Sequence, residues 1–363
     1  MSLTYRAPGR VNLIGEHTDY NLGFVLPIAL DLVTEVDWSY YTKSRSLTLH
    51  SEAYEQTASW SITDIGSLQP HHQWTDYVLG VAQQLLKSGF ELGPVMLNFK
   101  STVPEGAGLS SSAALEVSAA LALLKGRPIA PLELAKLCQR AEREFVGVPS
   151  GIMDQYVSVF GRRDQAVLID CRSLTHDYVS LPHTDKLQIW AVNSMVKHAL
   201  GNSAYKQRVA ECAAAAEALH VASLRDATLE KLQATPMPDV IFRRARHVVT
   251  ENLRVHSFVT AARNTDLKRM GELFYQSHES MRHDYEITCD EIDFLVETAK
   301  LQEGCYGARM TGGGFGGCTV NLLTPGAVSQ FQERIAAAYQ QRFGITPHFI
   351  CCTPSDGAVP NAE

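Results

Sequence analysis

The sequence lacks several features that mark particular protein classes. No apolar run is long enough to span a bilayer, and no basic stretch followed by an apolar core opens the chain, so we expect a protein that is not secreted. Its 32 Lys and Arg against 39 Asp and Glu give a net charge of −7. This balance disfavours nucleic acid or an anionic membrane as a partner, although local backbone dipoles or a metal could still hold a phosphate.

Paired cysteine motifs are also missing. The eight cysteines are scattered, none forms a C-x-x-C pair, and most lie among apolar or alanine-rich neighbours. Such thiols are typical of reduced, buried side chains, and their spacing argues against a zinc site. The sequence therefore predicts a protein of the cytoplasm.

The length of the chain, 363 residues, is typical of two domains that share an interface. A polar stretch at 182–186 predicts a division into residues 1–183 and 184–363. Predicted strands cover 30–39, 46–50, 95–101, 187–193 and 318–323. Predicted helices cover 75–86, 111–125, 131–145, 205–220, 223–232, 239–257 and 266–280.

The most informative segment covers residues 8–20, PGRVNLIGEHTDY. It begins as a half-buried strand and then places Glu16, His17 and Asp19 within four residues after Gly15. These side chains offer hydrogen-bond donors and acceptors at one point, as a hydroxyl-rich ligand requires. The alternative is a polar turn between two strands.

A second segment, PEGAGLSSSAA at 104–114, lies between a predicted strand and a predicted helix. Gly106 and Gly108 would let the backbone approach an anion at the helix start, where N–H groups are unpaired. The segment is not a Walker A loop, and Ser111 stands where a Rossmann motif has its third glycine. The alternative is an ordinary helix capped by serine.

A third segment contains five glycines in the six positions 312–317, before the last predicted strand. A plain hairpin needs one or two, so the excess predicts close approach of this backbone to another segment or to a ligand. By themselves, Glu142 is typical of a solvated helix face and Asp154 of the first turn of a helix.

Together these segments resemble the GHMP small-molecule kinases, and the match to the galactokinase family is close. PGRVNLIGEHTDYNLG resembles the galactokinase signature, PEGAGLSSSAALE the ATP-phosphate motif and RMTGGGFGGCTV the third motif; EREFVGVPSGIMDQY and SHESMRHDYEIT match as well. The resemblance implies an α+β fold in two lobes with the active site between them. The N-terminal lobe would be similar to the second domain of ribosomal protein S5, and the C-terminal lobe would be ferredoxin-like.

The resemblance also implies a reaction, transfer of the γ-phosphoryl group of ATP to the C1 hydroxyl of α-D-galactose, the first committed step of the Leloir pathway. Asp154 would be the base and Arg10 would lie beside it. Mg²⁺ would be held by Ser112 and Glu142. The sugar would be bound by Glu16, His17, Asp19, Gly151 and Tyr205. ATP would be bound by Gly106, Gly108, Leu109, Ser110, Ser111, Ser112 and Trp74.

Several alternatives remain at this point. Trp74 and Tyr77 could line an adenine pocket or simply pack a helix start. The resemblance would also suit a kinase of N-acetylgalactosamine, a galactose- and ATP-binding regulator of transcription, or a catalytically inactive homologue. The serines at 110–112, Asp154 and Arg10 are all present, which favours an active enzyme. We expect galactose and ATP as its partners and a monomer as its state.

Overall fold

The computed structural model describes residues 3–40, 45–197 and 201–358, which form an α+β fold in two lobes. Its strands are β1 Leu3–Asn12, β2 Phe24–Val25, β3 Pro27–Tyr40, β4 Ser46–Ser51, β5 Gln56–Ser61, β6 Val95–Ser101, β7 Gln165–Asp170, β8 Thr175–Ser180, β9 Gln188–Lys197, β10 Cys305–Thr311, β11 Gly316–Leu323 and β12 His348–Cys351. Its helices are α1 Thr75–Lys87, α2 Ser111–Leu124, α3 Pro131–Arg140, α4 Met153–Phe160, α5 Gly201–Ala218, α6 Leu229–Ala234, α7 Asp239–Arg263, α8 Leu267–Ser280, α9 Asp290–Lys300 and α10 Val328–Phe343.

The first lobe is built on a five-stranded sheet with the order β1-β3-β6-β4-β5, in which only β4 and β6 are parallel neighbours. The alternation predicted for β6 is confirmed, because Val95, Leu97 and Phe99 are buried. They pack in one core with residues of α1, α2 and α3. This face positions the N-terminus of α2 and the segment that leads to α4.

The second lobe has a four-stranded antiparallel sheet with the order β10-β11-β9-β12. Helices α5 to α9 lie between β9 and β10, and α10 lies between β11 and β12. This connectivity and strand order are those of a ferredoxin-like fold. The fold class expected from the sequence is therefore confirmed. A core that contains Ile28, Phe258 and Val320 joins the two lobes.

We propose that the lobes divide between residues 183 and 184. In support, β8 belongs to a small sheet with the order β2-β7-β8, and the next strand, β9, belongs to the second lobe's sheet. The chain returns to the first lobe after β12, where Pro354 pairs with Leu30 and the Gly357 N–H donates to the Gly161 carbonyl at 2.8 Å.

The helix predicted at 131–145 is confirmed in its extent, but it is an α-helix only to Arg140 and continues as a π turn, Ala141–Val146. Two other local predictions are wrong. The helix predicted at 223–232 is a 3₁₀ turn, Leu224–Asp226, followed by α6, because the Thr228 side chain accepts from the Lys231 N–H and starts a new helix there. The strand end at 11–13 is fully buried rather than half-buried: Val11 and Leu13 belong to the core that joins the lobes, and Asn12 between them is buried as well.

Candidate active site

Two adjoining cavities lie between the motifs. The larger, of about 450 Å³, lies beside the start of α2, and the smaller, of about 150 Å³, lies beside the start of α4. Val148 lines both cavities. The smaller one contains both predicted catalytic residues and all five predicted sugar-side residues: Arg10, Asp154, Glu16, His17, Asp19, Gly151 and Tyr205. The larger one is lined, among others, by Trp74, Tyr77, Gly106, Ser111 and Ser112.

Asp154 lies in the first turn of α4, as the sequence predicts, and forms a bidentate ion pair with Arg10. Arg10 Nε and Nη2 are each 2.9 Å from a carboxylate oxygen of Asp154. Arg10 follows a register shift in the pairing of β1 with β3, and such irregularities re-aim a side chain. Its Nη1 also donates to the Gly108 carbonyl at 2.5 Å, so Arg10 ties the carboxylate to the glycine-serine loop.

The glycine-serine loop reaches α2 through backbone in the left-handed region, with φ of +68° at Gly106 and +74° at Gly108. The alternative of a serine-capped helix is wrong, because Ser110 makes no capping bond and its hydroxyl donates to Asp154. The first N–H groups of α2 are thus available for an anion. Leu109 has a buried side chain, and its carbonyl accepts from the Arg10 N–H at 3.0 Å.

The third, glycine-rich loop lies directly against the glycine-serine loop. A Cβ on Gly312 would lie 3.1 Å from the Gly108 carbonyl oxygen, and one on Gly317 would lie 3.4 Å from that of Ala107. A Cβ on Gly314 would lie 2.6 Å from the Ile287 carbonyl oxygen. The predicted close approach of backbone to another segment is therefore confirmed, and it brings one loop from each lobe into contact.

Glu16 connects the signature segment to this third loop. Its Oε1 accepts from the Thr311 hydroxyl and the Gly312 N–H, each at 3.0 Å. Arg309, which is fully buried, lies 3.3 Å from the same oxygen and also donates to the Leu13 carbonyl at 2.6 Å. One carboxylate oxygen of Glu16 is thus engaged within the protein while the residue lines the smaller cavity.

Asp19 lies against Gly151 in the same cavity. A Cβ on Gly151 would lie 1.8 Å from Asp19 Oδ2, so only glycine fits beside this carboxylate. Burial, with the nearby charge of Asp154, raises the pKa of Asp19 to about 7, although the Tyr20 N–H donates to it at 2.9 Å. Asp19 therefore exchanges a proton near neutral pH.

His17 and Tyr205 form an aromatic wall of the smaller cavity, with ring centroids 5.2 Å apart. Burial lowers the pKa of His17 to about 3, so the ring is neutral at physiological pH. Residues 198–200, which precede α5 in the predicted substrate-side segment, lie outside the described residues.

Glu142 and Ser112 meet where the two cavities adjoin. The Ser112 hydroxyl is 3.4 Å from Glu142 Oε1, while Glu142 Oε2 accepts from Ser150 and from Gln155 Nε2, the latter at 3.0 Å. Burial raises the pKa of Glu142, which a cation at Oε1 would offset. Hard oxygen donors of this kind fit Mg²⁺. Within the described ranges no group of three His, Cys, Asp or Glu could hold a metal.

Comparisons with known proteins agree with this geometry. Family models match for the GHMP kinases N terminal domain at 76–162, the galactokinase galactose-binding signature at 2–37 and the GHMP kinases C terminal domain at 258–341. Galactokinases of Thermosipho africanus and Thermotoga neapolitana are 40% and 42% identical, over 98% and 97% of this chain and 98% of each relative. The chain belongs to the galactokinase family.

Solved structures extend the comparison to the fold. The structure of Lactococcus lactis galactokinase complexed with galactose matches with a TM-score of 0.93 and 33% identity, over 98% of this chain and 94% of that one. Methanococcus jannaschii mevalonate kinase matches with a TM-score of 0.70 and 16% identity, over 98% of this chain and 99% of that one, which shows the shared GHMP kinase fold. In the part of the chain that is described, no helix is long and apolar enough to cross a membrane.

The structure of this galactokinase-family chain also reveals site residues that the sequence reasoning missed. Tyr54 stacks on Trp74 in the larger cavity, with ring centroids 6.2 Å apart, and Trp74 packs edge-to-face on Phe99. Trp74 therefore both packs the helix start and lines the cavity. No sequence motif marks Tyr54, because it lies in the connection between β4 and β5, away from the three motif segments.

Behind Glu142, the Gln155 amide donates to Glu116 Oε2 at 2.8 Å as well as to Glu142. Glu116 is fully buried, and burial raises its pKa well above the usual value. Glu116 is the last residue of the ATP-phosphate motif, and Gln155 directly follows Asp154. These positions within motifs are the sequence features that could have indicated a role in the site. Gln155 orients the carboxylate of Glu142.

Proposed function

We propose that the chain transfers the γ-phosphoryl group of ATP to the C1 hydroxyl of α-D-galactose, with Asp154 as base and Arg10 assisting. The Asp154–Arg10 pair supports this reaction, because it lies in the cavity that also holds the signature carboxylates, and Ser110 links the pair to the glycine-serine loop. A base, a cation and a phosphate-binding loop are the parts that phosphoryl transfer needs.

In this mechanism Asp154 accepts the proton of the sugar hydroxyl as its oxygen attacks phosphorus. Arg10 holds the carboxylate through two hydrogen bonds, so the base is oriented before the substrates bind. The guanidinium also lies next to the glycine-serine loop and stabilises negative charge that develops on the phosphoryl oxygens.

ATP would occupy the larger cavity, with its adenine beside Trp74 and its phosphates at Gly106, Gly108 and the N-terminus of α2. Leu109 contributes through its backbone, because its side chain is buried in the core. Ser110, Ser111 and Ser112 add hydroxyl groups. Ser112 and Glu142 would hold Mg²⁺, which would supply positive charge to offset the negative charge of the ATP phosphates.

Galactose would occupy the smaller cavity, against Glu16, His17, Asp19, Gly151 and Tyr205. The carboxylates that line this cavity accept hydrogen bonds from the sugar hydroxyls. An epimer with one hydroxyl displaced would leave a buried acceptor without a partner, which costs about 1–3 kcal/mol. This arrangement supports discrimination of galactose from glucose at C4.

Galactose affinity should depend on pH through Asp19. The pKa of about 7 means that Asp19 is increasingly protonated below pH 7, and the neutral form accepts sugar hydroxyl protons poorly. We expect galactose to bind roughly tenfold more weakly at about pH 6 than at about pH 8. Calorimetric titration of wild type and Asp19→Asn at both pH values checks this. An equal pH dependence in the two proteins would contradict the assignment.

The same shift has a consequence for folding. The carboxyl of Asp19 has a pKa of about 7 in the folded protein against the usual 3.8, so its contribution to the free energy of unfolding is fully present below pH 3.8 and is lost as the pH rises through 7. The Asp19→Asn variant should therefore gain stability relative to wild type as the pH rises over this window.

The acceptor of the reaction is tested by ADP release from MgATP with D-galactose, N-acetylgalactosamine, D-glucose and mevalonate. We expect turnover with galactose and at most traces with glucose and mevalonate. Preference for N-acetylgalactosamine would overturn the sugar assignment and leave the mechanism intact. Binding of galactose and ATP without turnover would contradict the enzyme and favour a regulator.

We also propose that the protein acts in the cytoplasm as a monomer, with no nucleic-acid or membrane partner. The cysteines are unpaired, and Cys138, Cys171, Cys212, Cys318 and Cys352 are buried, which suits a reducing compartment. The net charge of −7 suits a protein without a polyanionic partner. Light scattering on the purified chain tests the oligomeric state.

A further inference from the structure

A chain of hydrogen bonds runs from the sugar cavity into the second lobe. His17 Nδ1 is 2.8 Å from the Tyr20 hydroxyl, which is 2.7 Å from the Tyr285 hydroxyl, which in turn is 3.0 Å from Cys212 Sγ. His17, Tyr285 and Cys212 are buried, and Tyr20 is half-buried. Tyr285 comes from the SHESMRHDYEIT segment, to which the proposed reaction assigns no role. We call these four residues the His17 chain.

The number of protons on these four side chains limits the direction in which hydrogen bonds are donated along the His17 chain. Tyr20 and Tyr285 have one hydroxyl proton each, so each can donate only one hydrogen bond and must accept the other. All three contacts are therefore hydrogen bonds only if donation runs in the same direction along the whole chain. The contact with Cys212 is weak in either direction, because a thiol is both a weak donor and a weak acceptor. The contact with His17 therefore decides the direction. Donation towards His17 ends on a ring nitrogen, which is a better acceptor than a phenol oxygen.

The surroundings of the other ring nitrogen, Nε2, also indicate that the His17 ring proton lies on Nε2 and not on Nδ1. His17 is neutral and carries one ring proton, and its Nε2 is buried without a hydrogen-bond partner among the described residues. Nδ1 faces Tyr20, so Nε2 is the ring nitrogen without a partner among the described residues, and His17 is one of the residues that line the sugar cavity. Burial lowers the pKa of His17, and the Gly313 carbonyl raises it in part, as an acceptor near a ring N–H does. This carbonyl is near the ring but does not meet hydrogen-bond geometry with Nε2.

We propose that Tyr20 is a positioning residue for the sugar site: its hydroxyl donates to His17 Nδ1 and so keeps the ring proton on Nε2, where a hydroxyl of the bound sugar would accept it. Tyr285 donates to Tyr20 and thereby directs the Tyr20 proton towards His17. The inference rests on the proposed function only in assigning galactose to this cavity.

The tautomer matters because the cavity is rich in acceptors. Glu16, Asp19 and Asp154 all present carboxylates to it. A sugar hydroxyl donates one hydrogen bond and can accept two. Carboxylates can only accept, so a site made of carboxylates alone would leave the lone pairs of the sugar hydroxyls without a donor. The Nε2–H of His17 supplies a neutral donor. The opposite tautomer would add another acceptor and weaken sugar binding.

The tautomer can be read directly in the protein without substrates, by long-range ¹H–¹⁵N correlation spectra of histidine-labelled samples. A His17→Gln variant assigns the His17 signals. We expect a protonated Nε2 and an unprotonated, hydrogen-bonded Nδ1. A protonated Nδ1 in the wild type would overturn the proposal whichever sugar is the substrate.

Two matched variants separate positioning from packing, since each removes one hydroxyl from the same chain. Tyr20→Phe should shift the Nδ1 signal, mix the tautomers and raise the KM for galactose roughly tenfold, with kcat and the KM for ATP nearly unchanged. Tyr285→Phe leaves the Tyr20 donor in place, so it should keep the Nε2–H form and change that KM by less than about threefold. Equal losses in both variants with unchanged ring signals would overturn the proposal.

Discussion

Replacing Asp154 with Asn should lower kcat by about 10²- to 10⁴-fold, the range that a general base contributes. The substitution keeps the volume of the side chain and removes the proton acceptor. It also replaces one of the two oxygens that Arg10 contacts with an NH₂ group. The KM for galactose should change less than kcat, and binding of MgATP, measured by calorimetry, should be nearly unchanged because ATP lies in the adjoining cavity.

Asp185→Asn is the matched control for this prediction, because it makes the same change in an exposed loop of the chain. It should leave kcat unchanged. The melting temperature of Asp154→Asn must also be compared with that of the wild type, since Arg10 is buried and loses a charged partner. A well-folded Asp154→Asn protein that keeps more than about a tenth of wild-type turnover would exclude Asp154 as the base.

Replacing Glu142 with Ala should raise the Mg²⁺ concentration needed for half-maximal activity by at least about 10- to 100-fold, the range seen when a residue that only supports a metal ligand is removed. Glu142 is buried at the junction of the two cavities, and among the described residues its Oε1 has only a long contact, of 3.4 Å, with the Ser112 hydroxyl. A titration of activity with Mg²⁺ at fixed ATP and galactose measures the effect.

Glu144→Ala is the control, since Glu144 lies on the same π turn but is exposed and pairs with Lys87 at 3.2 Å. Its Mg²⁺ titration should match that of the wild type, because an exposed ion pair contributes little. An unchanged Mg²⁺ requirement in Glu142→Ala would remove Glu142 from the metal site. Equal shifts in both variants would point to a disturbed π turn.

Much of the fold and of the site could be predicted because the signals are local or lie in motifs. The alternation of β6 and the Pro131 start of α3 follow from side-chain periodicity and backbone chemistry. The glycines at 312–317 predicted a close backbone contact, since glycine is needed where chains approach without room for Cβ. The identity of the reaction came from the resemblance and from no single residue.

What could not be predicted depends on contacts between distant segments. Nothing near Arg309 in the sequence indicates that it would be fully buried beside Glu16, almost 300 positions away. The contact of Tyr54 with Trp74 and the bridge of Gln155 between Glu116 and Glu142 likewise exist only once the sheets and helices are packed. The π turn after α3 was not predicted either. It inserts one extra residue into a helical turn, and a segment of six residues is too short for the spacing of its apolar residues to reveal that insertion.

The most direct test of the central claim is the identity of the product. Galactose labelled with ¹³C at C1 is incubated with MgATP and the wild-type chain, and the product is examined by ³¹P and ¹³C NMR. We predict one phosphorylated sugar with α configuration, in which phosphorus couples to C1, formed in step with ADP. A phosphate on any other carbon, or ADP release without a phosphorylated sugar, would contradict the placement of the C1 hydroxyl beside Asp154.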